Sequence, residues 1–444
     1  MTDITSGRGG GQTAPAGVVH RQTAPMEYGK TECCQVVSMR RDIMENRFEK
    51  VKEFMDQMLT EQRTPGEVIR IHQDGKEVFA YHCGYRDLQT KEPLTGKEKF
   101  NIYSCSKVTT VVAALQLLEQ GRYLLSTPVY DILPEYRNIM VQGENGELRK
   151  PENPVTIGNL FTMTGGFDYD LDREPVKRVI RETGGHAPTR EVVRALAECP
   201  LQYEPGERFN YSYGHDILAG VVEVVSGKRF RDYVRENIFL PLDMKDCVYH
   251  VTEDMYSSMS SQYDFIAEEE GTAAARSGLD MVNAQAHGKA DKGHFEKIAF
   301  EPRQYIPGDE YDSGGAGITA TADDYVKLAA CLANMGTGET GERILAPATV
   351  ELMRTNALTE QQLKYFDWEQ LRGYGYGLGV RTMIDRIAGS SLSSIGEFGW
   401  CGAAGAALIA DPAEKLGVFF AQHMLNPREE YYMPRLRNVI YSCL

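Results

Sequence analysis

The chain is short of positive charge. Its 48 Lys and Arg face 63 Asp and Glu, giving a formal net charge of −15 and a pI of about 5.2. Binding a phosphate backbone needs a concentrated basic face, and docking on an anionic bilayer needs basic clusters. Neither nucleic acid nor an acidic membrane surface is therefore an expected partner. Long apolar runs are also lacking, and no stretch of about 18 such residues predicts a membrane span. The first thirty residues have no apolar signal-peptide core and are rich in Gly, Thr, Ala, Pro and Gln, so residues 1–35 are expected to be a disordered leader. The nine cysteines are scattered, with no C-x-x-C pair or His cluster at zinc spacing. Neither a disulfide framework nor a metal site is predicted, and no cofactor is implied. Unpatterned thiols in that number fit a reducing compartment, so a cytoplasmic location is expected. The oligomeric state is left open.

What is present is ordinary globular composition, 42% hydrophobic and 25% charged over 444 residues, enough to bury a large core without staples. Ile43, Met44, Phe48, Val51, Met55 and Met58 recur at helical spacing, predicting an amphipathic helix over about 39–61. GEVIRIHQ and KEVFAYHC flank Asp74-Gly75, a strong hairpin signal. FNIYS reads as a short strand, and SKVTTVVAALQLLEQ as a buried helix stopped by Gly121. From about 122 to 250 the pattern is helical, and from about 253 to 310 it is polar and irregular, as in a lid or insertion. GAALIADP and KLGVFFAQH read as strands, and PRLRNVIYS as a last helix. The expected class is α+β: an antiparallel sheet flanked by terminal helices, with an inserted mainly helical domain. The sheet domain would comprise 36–120 and 311–444, the helical domain 121–310 with its polar insertion at about 253–310, and a cleft between the two would hold the site.

Three short segments point to chemistry. In Ser104-Cys105-Ser106-Lys107, residues three apart share a helix face, so the hydroxyl and the amine can touch. Serine needs a base, and burial at the positive end of a helix lowers a lysine pKa enough to make one. Tyr211, before the helix HDILAGVVEVVSG, can relay a proton if nearby positive charge, such as that of Lys107, lowers its pKa. Gly399-Trp400-Cys401-Gly402-Ala403 leads into a strand, where small residues admit a substrate backbone; the N–H groups of Ser104 and Ala403 can form an oxyanion pair. Taken singly, each segment has a plainer reading: an N-cap serine with a solvated lysine, a loop aromatic, a tight bend. Cys105 and Cys401 read as structural thiols and His215 and His423 as core residues. SGGAGITATADD lacks the lysine of a P-loop.

The ordered set SCSK, VTIGNLFTMTGGF, LQYEPGERFNYS, FLPLDM, SGGAGITATADDYVKLA and W-C-G resembles the serine β-lactamase, DD-peptidase and family VIII carboxylesterase superfamily, in its class C-like branch, over about residues 60–425. The resemblance implies Ser104 as acylated nucleophile, Lys107 as its base, Tyr211 as proton shuttle, and an oxyanion hole from Ser104 and Ala403. Tyr213, Trp400 and Gly402 would line the substrate. Two departures matter. Tyr211-Ser212-Tyr213 lacks the Asn of Tyr-x-Asn, and Trp400-Cys401-Gly402 lacks the cation of the third motif. Both move the expected small-molecule acyl substrate from anionic amides toward small neutral esters, with hydrolysis or acyl transfer as the outcome. An amidase, D-peptidase or weak β-lactamase, and a catalytically silent ligand-binding paralogue, are the alternatives.

Overall fold

The computed structural model describes residues 47–143, 145–267, 293–298 and 307–444. The leader, Ile43 and Met44, and much of 253–310 lie outside the described residues. The main sheet has eight strands, numbered here in chain order: β1 (Gly66–Gln73), β2 (Lys76–Asp87), β3 (Glu92–Pro93), β4 (Tyr374–Tyr376), β5 (Arg381–Met383), β6 (Phe398–Gly402), β7 (Ala406–Asp411) and β8 (Leu416–Ala421). Their order is β4-β5-β6-β7-β8-β1-β2-β3, with every pairing antiparallel. The two ends of the chain thus meet in the middle of the sheet, where Val68 pairs with Ala421 and Gln73 with Leu416. Asp74 and Gly75 both take positive φ, +50° and +70°, as a two-residue hairpin turn requires.

Alternation along the strands divides the core in two. Ile69 and Ile71 of β1, Ala407 and Ile409 of β7, and Val418 and Phe420 of β8 face the terminal helices α1 (Glu49–Thr60) and α5 (Glu429–Tyr441). Val68, Leu408, Ala410, Phe419 and Ala421 point the other way, into the larger core that holds α2 (Ser106–Glu119), α3 (Gly214–Ser226) and α4 (Ala322–Ala333). Because both faces are covered, β7 and β8 carry apolar side chains on both sides and read as continuous runs.

The helix α2 is buried on nearly every side, which matches its low polarity, and Gly121 at φ +68° follows its end. The helices α2 and α3 pack directly on each other, with Gly227 closing α3 in the left-handed region. Within 253–310 the described parts are structured: Tyr263–Ala267 and Gly293–Lys297 form an antiparallel pair joined by Met424–Leu425.

Candidate active site

Ser104 lies in a single 3₁₀ turn, Tyr103–Cys105, that runs straight into α2. Tyr103 before it is held at φ +45°, a strained conformation for a bulky residue and one that costs about 1–3 kcal/mol. Its ring is buried, and its hydroxyl accepts a hydrogen bond of 2.8 Å from Gln262. The turn is thereby pinned from outside α2.

One helical step on, Lys107 is fully buried. Its Nζ lies 3.2 Å from Ser104 Oγ, 2.9 Å from the Tyr169 hydroxyl and 2.9 Å from the Gly315 carbonyl oxygen. Burial pushes the amine down to about 7, while the Asp216 carboxylate and the Cys105 thiol draw it back up. A carbonyl only accepts, so Gly315 claims one N–H; with a second directed at Tyr169, the lone pair of the neutral amine is left for the Ser104 proton.

Two phenols stack over this amine. Tyr169 and Tyr211 lie 5.5 Å apart and nearly parallel, with Lys107 Nζ at 4.8 and 4.6 Å from their ring centres. The neighbouring Ser104 hydroxyl favours the ionised form of both. Burial raises both phenols above the ordinary tyrosine value. The expectation that Lys107 lowers the Tyr211 pKa is therefore corrected: withdrawal from water dominates and raises it, and the groups that pull it down are the Ser104 hydroxyl and the Trp400 N–H, not the amine. Tyr211 is a neutral phenol and accepts a 3.1 Å hydrogen bond from Trp400 Nε1.

Trp400 comes from β6, whose pairing with β5 covers only Phe398 and Gly399. The outer edge of Trp400, Cys401 and Gly402 thus has no strand partner among the described residues. This edge meets the Ser104 turn: a methyl placed on Gly402 would collide with the Ile102 carbonyl and stand 3.4 Å from Ser104 N. Ala403 follows at the end of the strand. Behind the edge, the buried Arg381–Glu397 ion pair at 3.0 Å, with the Tyr374 hydroxyl donating to Glu397, ties β4, β5 and β6 together.

Ser104, Lys107, Tyr211, Trp400 and Gly402 therefore meet. Tyr213 stands apart, 1% exposed and packed against Phe167. His215 and His423 are buried and held well below the usual histidine range by desolvation, and Cys105 and Cys401 are buried thiols raised by desolvation. Tyr169 was not found from sequence. It follows the TMTGGF segment by two residues, and what distinguishes it from other loop tyrosines, its hydrogen bond from Lys107 and its stacking on Tyr211, exists only in the folded chain. Trp368 was missed as well; half-buried, it sets its ring edge-on to Tyr211 at 5.3 Å and 5.9 Å from Trp400.

Comparison with known proteins agrees with this architecture. A family model described as Beta-lactamase matches residues 50–440. Esterase EstB of Burkholderia gladioli is 28% identical over 373 residues, covering 82% of this chain and 87% of EstB. Among solved structures, EstCE1, "a hydrolase with promiscuous acyltransferase activity", superposes with a TM-score of 0.69 at 24% identity, covering 88% of this chain and 98% of that one. Simvastatin synthase LovD from Aspergillus terreus gives 0.69 at 19% identity, covering 88% and 97%. The match of the family model across nearly all the described fold, together with a serine and a buried lysine meeting beside an open strand edge, means that the chain belongs to the beta-lactamase family.

Proposed function

We propose that this chain is a serine hydrolase that forms an acyl-enzyme on Ser104 and acts as a carboxylesterase or acyl transferase on small neutral esters. The observation that carries this reading is the 3.2 Å contact between the Ser104 hydroxyl and an amine that burial pushes down to about 7. In acylation, Lys107 takes the Ser104 proton as Oγ attacks the ester carbonyl. The oxyanion is received by the N–H groups of Ser104 and Ala403. As the C–O bond breaks, Tyr211 passes its proton to the leaving alkoxide and is reprotonated from the Lys107 ammonium. Water or an acceptor alcohol then attacks the acyl carbon, and the same groups run in reverse to free Ser104.

The preference for esters is supported by the third segment. Trp400 offers a flat apolar wall and one N–H, already directed at Tyr211, and no cation for a substrate carboxylate. Position 213, where an amide-binding Asn would stand, holds a buried tyrosine. The esterase name of EstB and the transferase activity named for EstCE1 support the same pairing of outcomes. All seven described cysteines are free thiols, which suits a reducing, cytoplasmic setting. Among the described residues, no helix is long and apolar enough to cross a membrane.

The test is covalent labelling. Incubation with an aryl ester or a fluorophosphonate should add one acyl or phosphonyl mass to the intact protein, and Ser104→Ala should remove the adduct. Labelling that persists at another residue in Ser104→Ala overturns the assignment.

A further inference from the structure

The glycine-rich segment SGGAGITATADD has no role as a phosphate loop, yet it carries the carbonyl that holds Lys107. Gly315 does two things at once. Its carbonyl oxygen accepts from Lys107 Nζ at 2.9 Å, and its N–H donates to Asp216 Oδ1 at 3.2 Å. A side chain there would have to displace the site, because a methyl on Gly315 would lie 2.5 Å from Asp216 Oδ2 and 2.7 Å from the Tyr169 hydroxyl. Gly315 thus threads between the carboxylate and the cluster around Lys107.

Asp216 is 1% exposed and sits in the first turn of α3. Besides Gly315 N–H, its Oδ1 receives the Tyr311 hydroxyl at 2.9 Å and the Ser313 hydroxyl at 2.8 Å. Three donors converging on one oxygen, at the positive end of a helix, is an environment built for an acceptor-only carboxylate. Such a group is costly to bury, and among the described residues no salt bridge to a cation offsets that cost.

We propose that Asp216 is a positioning residue for Lys107, acting through Gly315 to fix where the amine sits and at what pH it becomes a base. The inference rests on the reading of Lys107 as the base for Ser104. The groups facing Lys107 are Ser104 and Cys105 from its own turn, Tyr169 from the loop after TMTGGF, Tyr211 ahead of α3, His215 and Asp216 on α3, and the Gly315 carbonyl. Of these, Asp216 is the one carboxylate, and its negative charge favours the ammonium against the desolvation that opposes it. Too little of that field and the amine is a weak base; too much and it stays protonated and cannot accept the Ser104 proton.

The test is the pH profile of kcat/KM for p-nitrophenyl acetate, which reports ionisations of the free enzyme. Wild type should show an acid limb near pH 7, with activity rising as Lys107 loses its proton. Asp216→Asn removes the charge, so the limb should move down by about one pH unit. Tyr311→Phe removes one donor and strengthens the remaining charge, so the limb should move up by a smaller amount. A limb that stays in place in Asp216→Asn, or moves up, overturns the proposal. If Asp216→Asn does not fold, Tyr311→Phe decides: an upward shift supports it, and an unshifted or lowered limb overturns it. The base assignment fails separately, if wild type has no limb near pH 7 or Lys107→Met keeps its activity.

Discussion

Burial acts on two side chains in the same way, disfavouring the charged form of each, but with opposite consequences for pH. Lys107 loses its proton readily because the ammonium is disfavoured. Glu67, 1% exposed at the start of β1, holds its proton because the carboxylate is disfavoured, and desolvation pushes it up to about 8 against the pull of Gln422. Gln422 Nε2 donates to Glu67 Oε1 at 2.9 Å, while Glu67 Oε2 and Gln422 Oε1 have no hydrogen-bond partner among the described residues. The folded-state value lies above the ordinary 4.5, so folding takes up a proton between those limits. The stabilisation from neutral Glu67 is complete below about pH 4.5 and drains away as pH rises through about 8, at up to about 1.4 kcal/mol per unit. Glu67→Gln keeps the shape without the titration and supplies a permanent N–H. It should raise Tm relative to wild type at pH 8 and leave it nearly unchanged at pH 5, by thermal unfolding at both. Parallel Tm curves for the two proteins across that range would show that Glu67 does not titrate on unfolding.

At the scale of elements, the site depends on how closely β6 approaches the Ser104 turn. Gly402 lies against the Ile102 carbonyl, a backbone atom that cannot rotate aside. Gly402→Ala must push the strand edge away from Ser104 N and carry Ala403 with it. Loss of one oxyanion donor costs about 10²–10³ in kcat, so kcat of Gly402→Ala should fall on that order while far-UV circular dichroism stays native. A variant with full kcat would mean that Ala403 is not part of the oxyanion hole. This closeness also shows what sequence reading reaches. The hairpin at Asp74-Gly75 and the buried helix ending before Gly121 were legible because their signals are local: turn residues with positive φ and an unbroken apolar run. The strands β4 and β5 were not, since three residues are too few to show alternation. The last helix begins at Glu429, not at Pro434, because that proline sits in the second turn, where the sequence suggests a start. Ser104 and Lys107 were legible as neighbours on one helix. Tyr169, Asp216 and Gly315 were not, because they come from three separate segments and meet Lys107 only through the packing of α3 and the glycine loop against α2.

Across the whole molecule, the aromatic residues are distributed in a way that gives the site its own reporter. The chain has two tryptophans, Trp368 and Trp400. Both flank Tyr211, at ring distances of 5.3 and 5.6 Å, and Trp400 donates its indole N–H to the Tyr211 hydroxyl. Every other region of the fold, including both faces of the sheet and the terminal helices, is silent in tryptophan emission. Trp400 is 4% exposed and Trp368 is half-buried, so the first senses hydrogen bonding at the phenol and the second senses what enters beside it. Acylation of Ser104 places new atoms against Tyr211 and disturbs the polar group to which Trp400 donates. Titration with a fluorophosphonate should therefore change the intensity or maximum of tryptophan emission in step with the intact-mass adduct and saturate at one equivalent. Trp368→Phe should keep the part of the change that belongs to Trp400, and Ser104→Ala should abolish the time-dependent phase. Stoichiometric labelling with emission unchanged in wild type would mean that the acyl group does not lie between Tyr211 and the two indoles, and that the substrate approaches Ser104 from another side of β6.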